Sequence, residues 1–245
     1  MSDRPFIYGL LFHAFGTAGD QKEKEKDLLS SLNWKRWSPG IVPVYSAEDS
    51  LARFKVAPGF KVELVASEPF VKDPVFVDWD DQGRMWVGEL RSYMMNLDGS
   101  GENQPISRVM VLEDTDLDGK MDKATPFLED MVNVRSLAFI DGAVLVVESG
   151  ALWLCQDKDG DLRCDQKEKL LDFATTAHDN IEHAENALHF ALDNWMYNSK
   201  STRKLAWRQG KLIEQPATAR GQWGMATDAY GRLYYNSNSV WFEAD

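Results

Sequence analysis

The 245-residue chain has no run of about eighteen apolar residues, so nothing in it reads as a transmembrane span. It has two cysteines, Cys155 and Cys164, too few for a four-cysteine zinc site or a disulfide-dense scaffold. With 17 Gly and 9 Pro it is neither collagen-like nor of disordered composition. Gly-x-Gly-x-x-Gly, a phosphate-binding lysine loop, His-Glu-x-x-His and Gly-x-Ser-x-Gly are all missing. Their absence argues against nucleotide-dependent dehydrogenation, zinc proteolysis and α/β-hydrolase chemistry. Basic residues are also short, 27 against 39 acidic, and a net charge of −12 repels a phosphate backbone. That balance excludes nucleic acid as an expected partner and favours metal ions, cationic ligands or neutral substrates.

What is present is apolar and aromatic residues in short runs. Nine Trp and twelve Phe within a 44% hydrophobic composition supply a sizeable core. Residues 1–45 read as a lead-in: a weak, signal-like stretch from Phe6 to Phe15 that Asp3 and His13 spoil, then the charged segment DQKEKEKDLLSSLN, expected to be helical. At Ser46 the Ser-x-x-Asp spacing of SAEDSLARF predicts a capped short helix, because the hydroxyl can accept an orphan backbone N–H of the first turn. After Phe54 the texture is β: KVELVA, VFVDWD, RMWVGEL, RVMVLED, AVLVVES, ALWLC, KLAWRQ and GRLYYNS are short, β-branched or aromatic, and bounded by Gly, Asp or Asn.

These strands repeat. DWDDQGRMWVGE, AFIDGAVLVVES, HFALDNWMYNS and MATDAYGRLYYNS each read strand, Asp-containing tight turn, strand, and the anchors Gly83, Gly142, Asn194 and Gly231 stand 59, 52 and 37 residues apart. The expected fold class is all-β, a β-propeller of four-stranded blades over residues 46–245, with a β-sandwich as the alternative. The length suffices for about four blades of roughly 45 residues, so the expectation is an incomplete portion of a six-bladed ring, truncated at the C-terminus.

Two loops carry the clearest inorganic signal. DTDLDGKMD places Asp114, Asp116, Asp118 and Asp122 at positions 1, 3, 5 and 9 of a calcium-type loop, with Gly119 at position 6. DKDGDLRCD, 43 residues on, places Asp157, Asp159, Asp161 and Asp165 in the same way, with Gly160 at position 4 and Leu162 at position 6. Alternating carboxylates in a tight loop can converge on one hard cation; an Asx-rich turn without metal is the competing reading. Thr125 stands where a bidentate Glu would complete the first loop. Cys155 and Cys164 flank the second, and a disulfide there would close about ten residues and contribute up to about 3 kcal/mol in the chain-entropy model. The repeat also puts Arg135, Arg220 and Trp223 just before inner strands, and Arg91 and Tyr93 just after WVGE, in loops expected on one propeller face. An arginine fork there can clamp a carboxylate, phosphate or quinone oxygen.

The segment SAEDSLARFKVAPGFKVELVASEPFVKDPVFVDWDDQGRMWVGELRSYM, residues 46–95, resembles the opening of exported propeller proteins that carry the name membrane-bound dehydrogenase, related to sorbosone dehydrogenase and soluble quinoprotein glucose dehydrogenase. The resemblance covers roughly residues 46–245. Within it, HAENALHFALDNWMY is similar, without a gap, to that group's His-Asn-Gly-Gly-x-Leu-x-Phe-Gly-Pro-Asp-Gly-x-Leu-Tyr at His183, Leu188, Phe190, Asp193 and Tyr197. The resemblance implies that His183 is a general base at the propeller mouth, taking a hydroxyl proton as hydride passes to pyrroloquinoline quinone, a role its near-neutral pKa suits. Ala184, Glu185 and Asn186 depart from Asn-Gly-Gly, and Ala191-Leu192 from Gly-Pro; Asn186, Arg135, Arg220 and Trp223 are the candidate cofactor contacts. His178 is expected in a surface loop and His189 as structural. The resemblance further implies an extracytoplasmic (periplasmic or secreted) location, a carbohydrate-like substrate, calcium, and an electron-accepting haem domain outside this chain, which has no Cys-x-x-Cys-His of its own. On this reading the 245 residues alone should show little activity. A non-catalytic carbohydrate- or protein-binding propeller is the alternative function.

Overall fold

A computed structural model describes residues 44–96, 98–173 and 184–245. The signal-like and charged stretches of the lead-in, His178 and His183 lie outside the described residues. The chain divides into two compact units, Met1–Val62 and Glu63–Asp245.

In the first unit the predicted cap forms. Helix α1 (Ala47–Leu51) starts after Ser46, whose Oγ accepts the Asp49 N–H at 3.0 Å, and Glu48 and Asp49 place negative charge on the first turn.

The second unit holds four antiparallel sheets arranged as a four-blade β-propeller. Blade 1 is β1 (Pro74–Trp79), β2 (Met85–Glu89), β3 (Ser107–Glu113) and β4 (Lys123–Met131); blade 2 is β5 (Ser136–Ile140), β6 (Ala143–Glu148), β7 (Ala151–Gln156) and β8 (Gln166–Asp172). Blade 3 is β9 (Asn186–Phe190), β10 (Met196–Ser199), β11 (Arg203–Arg208) and β12 (Lys211–Pro216). Blade 4 has three strands, β13 (Ala226–Thr227), β14 (Leu233–Tyr235) and β15 (Glu243–Ala244). Each strand pairs with its sequence neighbour, so every blade is a meander.

The turn between the first two strands of each blade explains the repeat. All four anchors are left-handed, with φ of 79° at Gly83, 73° at Gly142, 62° at Asn194 and 83° at Gly231, the region that glycine and asparagine enter at least cost. In blade 1 the Asp80 carboxylate ties the turn: Oδ1 accepts the Gln82 and Arg84 N–H groups, and Oδ2 accepts Arg84 Nε and the Trp86 indole N–H. Blade 4 repeats this with Asp228, which accepts from Tyr230 N–H, Arg232 N–H, Arg232 Nε and the Tyr234 hydroxyl. Desolvation opposes ionisation of Asp228, but those donors outweigh it and hold the carboxyl down to about 2.

The blades are joined by apolar seams. Between blades 1 and 2, Trp86, Val109, Val111 and Phe127 pack on Leu137, Val144, Val146 and Leu162. Between blades 2 and 3, Leu145, Leu152 and Leu154 meet Leu188, Met196 and Leu205. Each fully buried side chain of this size contributes roughly 1.5–3 kcal/mol. One predicted strand does not form: Lys61–Ala66 carries no ladder, and instead the Val65 carbonyl accepts Met121 N–H while Ala66, Phe70 and Val71 cover the remaining face of blade 1.

Cys155 and Cys164 are free thiols. Cys155 is fully buried in the seam between blades 1 and 2, and Cys164 packs against the same cluster.

Both acidic loops join the third strand of a blade to the fourth. Their backbones match: positions 4 and 6 are left-handed in each, Leu117 (62°) and Gly119 (91°) in the first, Gly160 (84°) and Leu162 (66°) in the second. The two leucines occupy the same conformation for different reasons. Leu117 is 87% exposed and its side chain contributes no packing, whereas Leu162 is buried in the seam. Leu117→Gly should therefore raise stability by up to about 1 kcal/mol through relief of the left-handed strain. Leu162→Gly should lower it by about 2–5 kcal/mol despite the same relief. Urea denaturation of the two variants checks this, and effects of the same sign would contradict it.

Candidate active site at the polar end of the propeller

The meander fixes which residues share an end. First strands start, second strands finish and third strands start at one end; the tight Asp turns and both acidic loops lie at the other. Sorted this way, the buried polar residues fall almost entirely at the first end: Glu89 and Ser92 after β2, Ser107 opening β3, Asn133, Arg135 and Ser136 at the entrance to β5, Glu185 and Asn186 at β9, Asn198, Ser199 and Ser201 closing β10, and Gln222 before β13. Burying polar groups is costly unless they are hydrogen-bonded, and several of these bonds join different blades, while Ser107 Oγ, Ser136 Oγ and Asn198 Oδ1 find no partner among the described residues. Ser92 Oγ donates to Asn133 Oδ1 at 2.9 Å, linking blade 1 to blade 2.

Asn186, a predicted cofactor contact, is spent on the protein. Its Nδ2 donates to the carbonyls of Ala184 and Gln222 at 3.0 and 2.9 Å, and its Oδ1 accepts Gly224 N–H at 3.0 Å. It acts as a clamp that holds residues 222–224 of blade 4 on the entrance of blade 3. Trp223 is in the middle of that clamped segment. From blade 2, Arg135 brings its guanidinium carbon to 6.0 Å from the Trp223 ring centroid, its own N–H bonded to the Val147 carbonyl. Arg135 is 2% exposed, and desolvation lowers it to about 10, so it remains cationic at neutral pH.

Arg220 takes another course. Its Nε is paired with Asp245, its Nη1 donates to the Thr218 carbonyl at 2.9 Å, and it lies over the Tyr197 ring at 5.2 Å. The predicted site residues thus separate: Arg135 and Trp223 come together at the polar end, with Asn186 positioning Trp223, while Arg220 is engaged elsewhere. Arg91 lies 3.7 Å from the buried Glu89 carboxylate.

Three groups that sequence reasoning left unassigned shape this end. Glu89 Oε1 accepts Lys72 N–H at 2.7 Å and Oε2 accepts Arg108 Nε; Glu148 Oε1 accepts Val132 N–H at 2.7 Å and Oε2 accepts Lys167 Nζ at 3.1 Å. Each carboxylate thereby fixes the chain entering its blade. Glu185, 6% exposed, faces Arg203 at 3.6 Å and accepts Asn198 Nδ2 at 3.4 Å, and burial raises its carboxyl above the usual range. His189 lies 3.2 Å from Thr227 Oγ1, joining β9 to β13, and burial lowers its ring.

At the opposite end the acidic loops bring three carboxylates each within 4.8 Å of one another: Asp114, Asp116 and Asp122, and Asp157, Asp159 and Asp165. Asp118 and Asp161 are not in these groups. Asp118 Oδ1 accepts Lys120 N–H and Asp161 Oδ1 accepts Arg163 N–H, each at 2.8 Å, so both cap the backbone of their own loop.

Four meander blades with a buried polar end and acidic loops at the other end define a β-propeller domain. Over residues 46–244 the sequence matches the family described as Domain of unknown function (DUF7133), and the chain belongs to that family. No curated protein matches it. Among solved structures it is similar to the PQQ domain of a pyranose dehydrogenase from Coprinopsis cinerea, with 12% identity and a TM-score of 0.50 over 74% of this chain and 46% of that one. It is also similar to a candidate gluconolactonase, at 17% identity and TM-score 0.49 over 74% of this chain and 61% of that one. A gluconolactonase from Xanthomonas campestris matches at 13% and 0.45, over 71% and 57% of the two chains. The chain therefore spans less than two thirds of the length of each. At 12% identity the likeness to the PQQ domain bears on the fold alone.

Proposed function

We propose that the protein oxidises a hydroxyl-bearing, carbohydrate-like substrate at the polar end, with a pyrroloquinoline-type quinone as cofactor and His183 as general base. The observation that carries this reading is the meeting of Arg135 and Trp223 within a band of buried polar side chains. A planar quinone bearing carboxylates needs a cationic fork for its oxygens and an aromatic face for its rings, and this pair supplies both. When bound, such a quinone supplies a two-electron acceptor for the hydride leaving the alcohol carbon. His183, in gapless register with the base-bearing strand of quinoprotein glucose dehydrogenases, receives the hydroxyl proton. The fold likeness to a pyranose dehydrogenase PQQ domain is consistent with this chemistry.

The engagement of Asn186 and Arg220 with partners inside the protein favours a second reading, a non-catalytic carbohydrate- or protein-binding propeller. Aldose oxidation by the natural full-length protein, followed with an artificial electron acceptor, separates the two. Dye reduction that requires added quinone supports the enzyme; quinone-independent silence with retained sugar binding supports the module. An extracytoplasmic location and an electron-accepting haem domain outside this chain belong to the enzyme reading.

Calcium is assigned to the two acidic loops as a structural ion, since hard carboxylate donors suit it and the loops lie at the end away from Arg135. Calcium at about a hundred times its Kd should stabilise the fold by roughly 2.7 kcal/mol per loop. The melting temperature should rise with calcium and fall with chelator, and Asp116→Asn should remove part of the response. A melting temperature indifferent to all three would make the acids turn-formers only.

A further inference from the structure

Four residues, 132–135, carry the chain across the polar end from β4, which ends at Met131, to β5, which starts at Ser136. Their backbone is fixed against blade 2: Val132 N–H donates to Glu148 Oε1 at 2.7 Å, the Val132 carbonyl accepts Ser149 N–H at 3.1 Å, and Arg135 N–H donates to the Val147 carbonyl at 2.9 Å. Between these anchors Asn133 is left-handed, with φ of 54°, and 0% exposed. Its Oδ1 accepts Ser92 Oγ, which leaves Nδ2 buried with no partner among the described residues. The same holds for Ser136 Oγ, next in the chain to Arg135, and for Ser107 Oγ, whose residue pairs with Met131 across the ladder. A buried donor without an acceptor is costly, so a group of this kind calls for something that accepts from it. Two residues of chain span at most about 7 Å, which sets Asn133 and Arg135 at the same part of the polar end.

We infer that Asn133 and Arg135 form a carboxylate-binding subsite, with Asn133 Nδ2 donating to one carboxylate oxygen and the Arg135 guanidinium balancing the charge. The chemistry of the donors selects the ligand. An amide nitrogen and a guanidinium only donate, so what they hold must accept. A cationic ligand is repelled by Arg135, and a neutral hydroxyl accepts from Nδ2 without drawing on its charge; a carboxylate does both and brings one negative charge to one cation. Trp223, its ring centroid 6.0 Å from the Arg135 guanidinium carbon, offers a ring face beside the same group. The placing of a ligand at Arg135 rests on the proposed function, whereas the redox step does not enter. The carboxylate belongs either to the quinone or to an acidic sugar, and binding measured without turnover tells the two apart.

Calorimetry on the folded full chain, with pyrroloquinoline quinone, glucuronate and the methyl ester of glucuronate as separate titrants, tests the subsite. At least one of the two acids should bind, and Asn133→Asp, which keeps an acceptor for Ser92 but sets a like charge against the ligand, should weaken it at least about tenfold. Asn133→Gly enters the left-handed region freely and removes Nδ2, so it repeats the test, with a loss of at least about fivefold, should the buried aspartate not fold. Where glucuronate binds, its neutral ester should bind at least about tenfold more weakly. Quinone bound and glucuronate not would give the carboxylate to the cofactor; glucuronate bound and quinone not would remove the quinone from the proposed function and keep the subsite. Neither acid bound by the folded protein, an ester as tight as its acid, or affinities that both Asn133 variants leave unchanged would overturn the assignment.

Discussion

On the proposed function, replacing His183 with glutamine should lower turnover by roughly a hundred- to ten-thousand-fold, with the melting temperature unchanged. The size follows from the role: a positioned base that accepts a proton in the transition state cannot be replaced by an amide of similar shape, which has no basic site. Steady-state kinetics across pH should also show the loss of the rising limb that a base near neutrality produces. His189 supplies the contrast. It is six residues along the same segment, and its ring already bonds to Thr227, so His189→Gln should affect stability more than rate. If His183→Gln leaves kcat intact, or unfolds the protein, the base assignment fails.

The largest expected structural effect is at Glu89. Its carboxylate is fully buried and accepts from Lys72 N–H and Arg108 Nε, with Arg91 Nε at 3.7 Å. Glu89→Ala removes the nearer acidic partner of the Arg108 guanidinium, leaving it only Glu129 at 4.0 Å, and leaves the Lys72 N–H without its acceptor. Breaking such a pair from one side typically costs about 3–5 kcal/mol, because the remaining charge stays desolvated. Glu148→Ala, the same change one blade on, should cost less, about 1–3 kcal/mol, since the Glu148 side chain keeps 12% of its surface in water where that of Glu89 keeps none. Urea unfolding curves give both values directly. Equal losses would mean that burial is not what sets the size, and a loss below about 1 kcal/mol at Glu89 would contradict the argument.

The fold was largely legible because its determinants are local. Gly83, Gly142, Asn194 and Gly231 could be aligned from sequence since each satisfies one backbone requirement, a left-handed turn residue between two strands. The acidic loops were visible for the same reason, and the apparent mismatch between Gly119 and Leu162 resolves once Leu162 is seen to fill the inter-blade core from a left-handed position. KVELVA misled because alternation speaks to side-chain faces and not to whether a partner strand exists; there the Val65 carbonyl finds Met121 instead.

The candidate site was legible only in part. Arg135 and Trp223 followed from their place before inner strands, but the fates of Asn186 and Arg220 depend on partners 38 and 25 residues away, Gly224 and Asp245, which no local spacing announces. The Ser92–Asn133 bond spans 41 residues and is equally silent. Glu89 and Glu148 could have been found, since both stand six residues after an aligned glycine. Their repetition is a sequence signal, and only the buried amide each one receives gives it meaning.

The central claim is that Arg135 and Trp223 hold a quinone at the polar end. Equilibrium titration of pyrroloquinoline quinone into the protein, read by calorimetry, tests it most directly. The predicted result is one quinone per chain, with affinity reduced at least about tenfold in Arg135→Met and in Trp223→Ala, as loss of a charge-assisted contact or an aromatic face of roughly 1.4 kcal/mol or more requires. No binding by the folded protein, or binding that both substitutions leave unchanged, would contradict it.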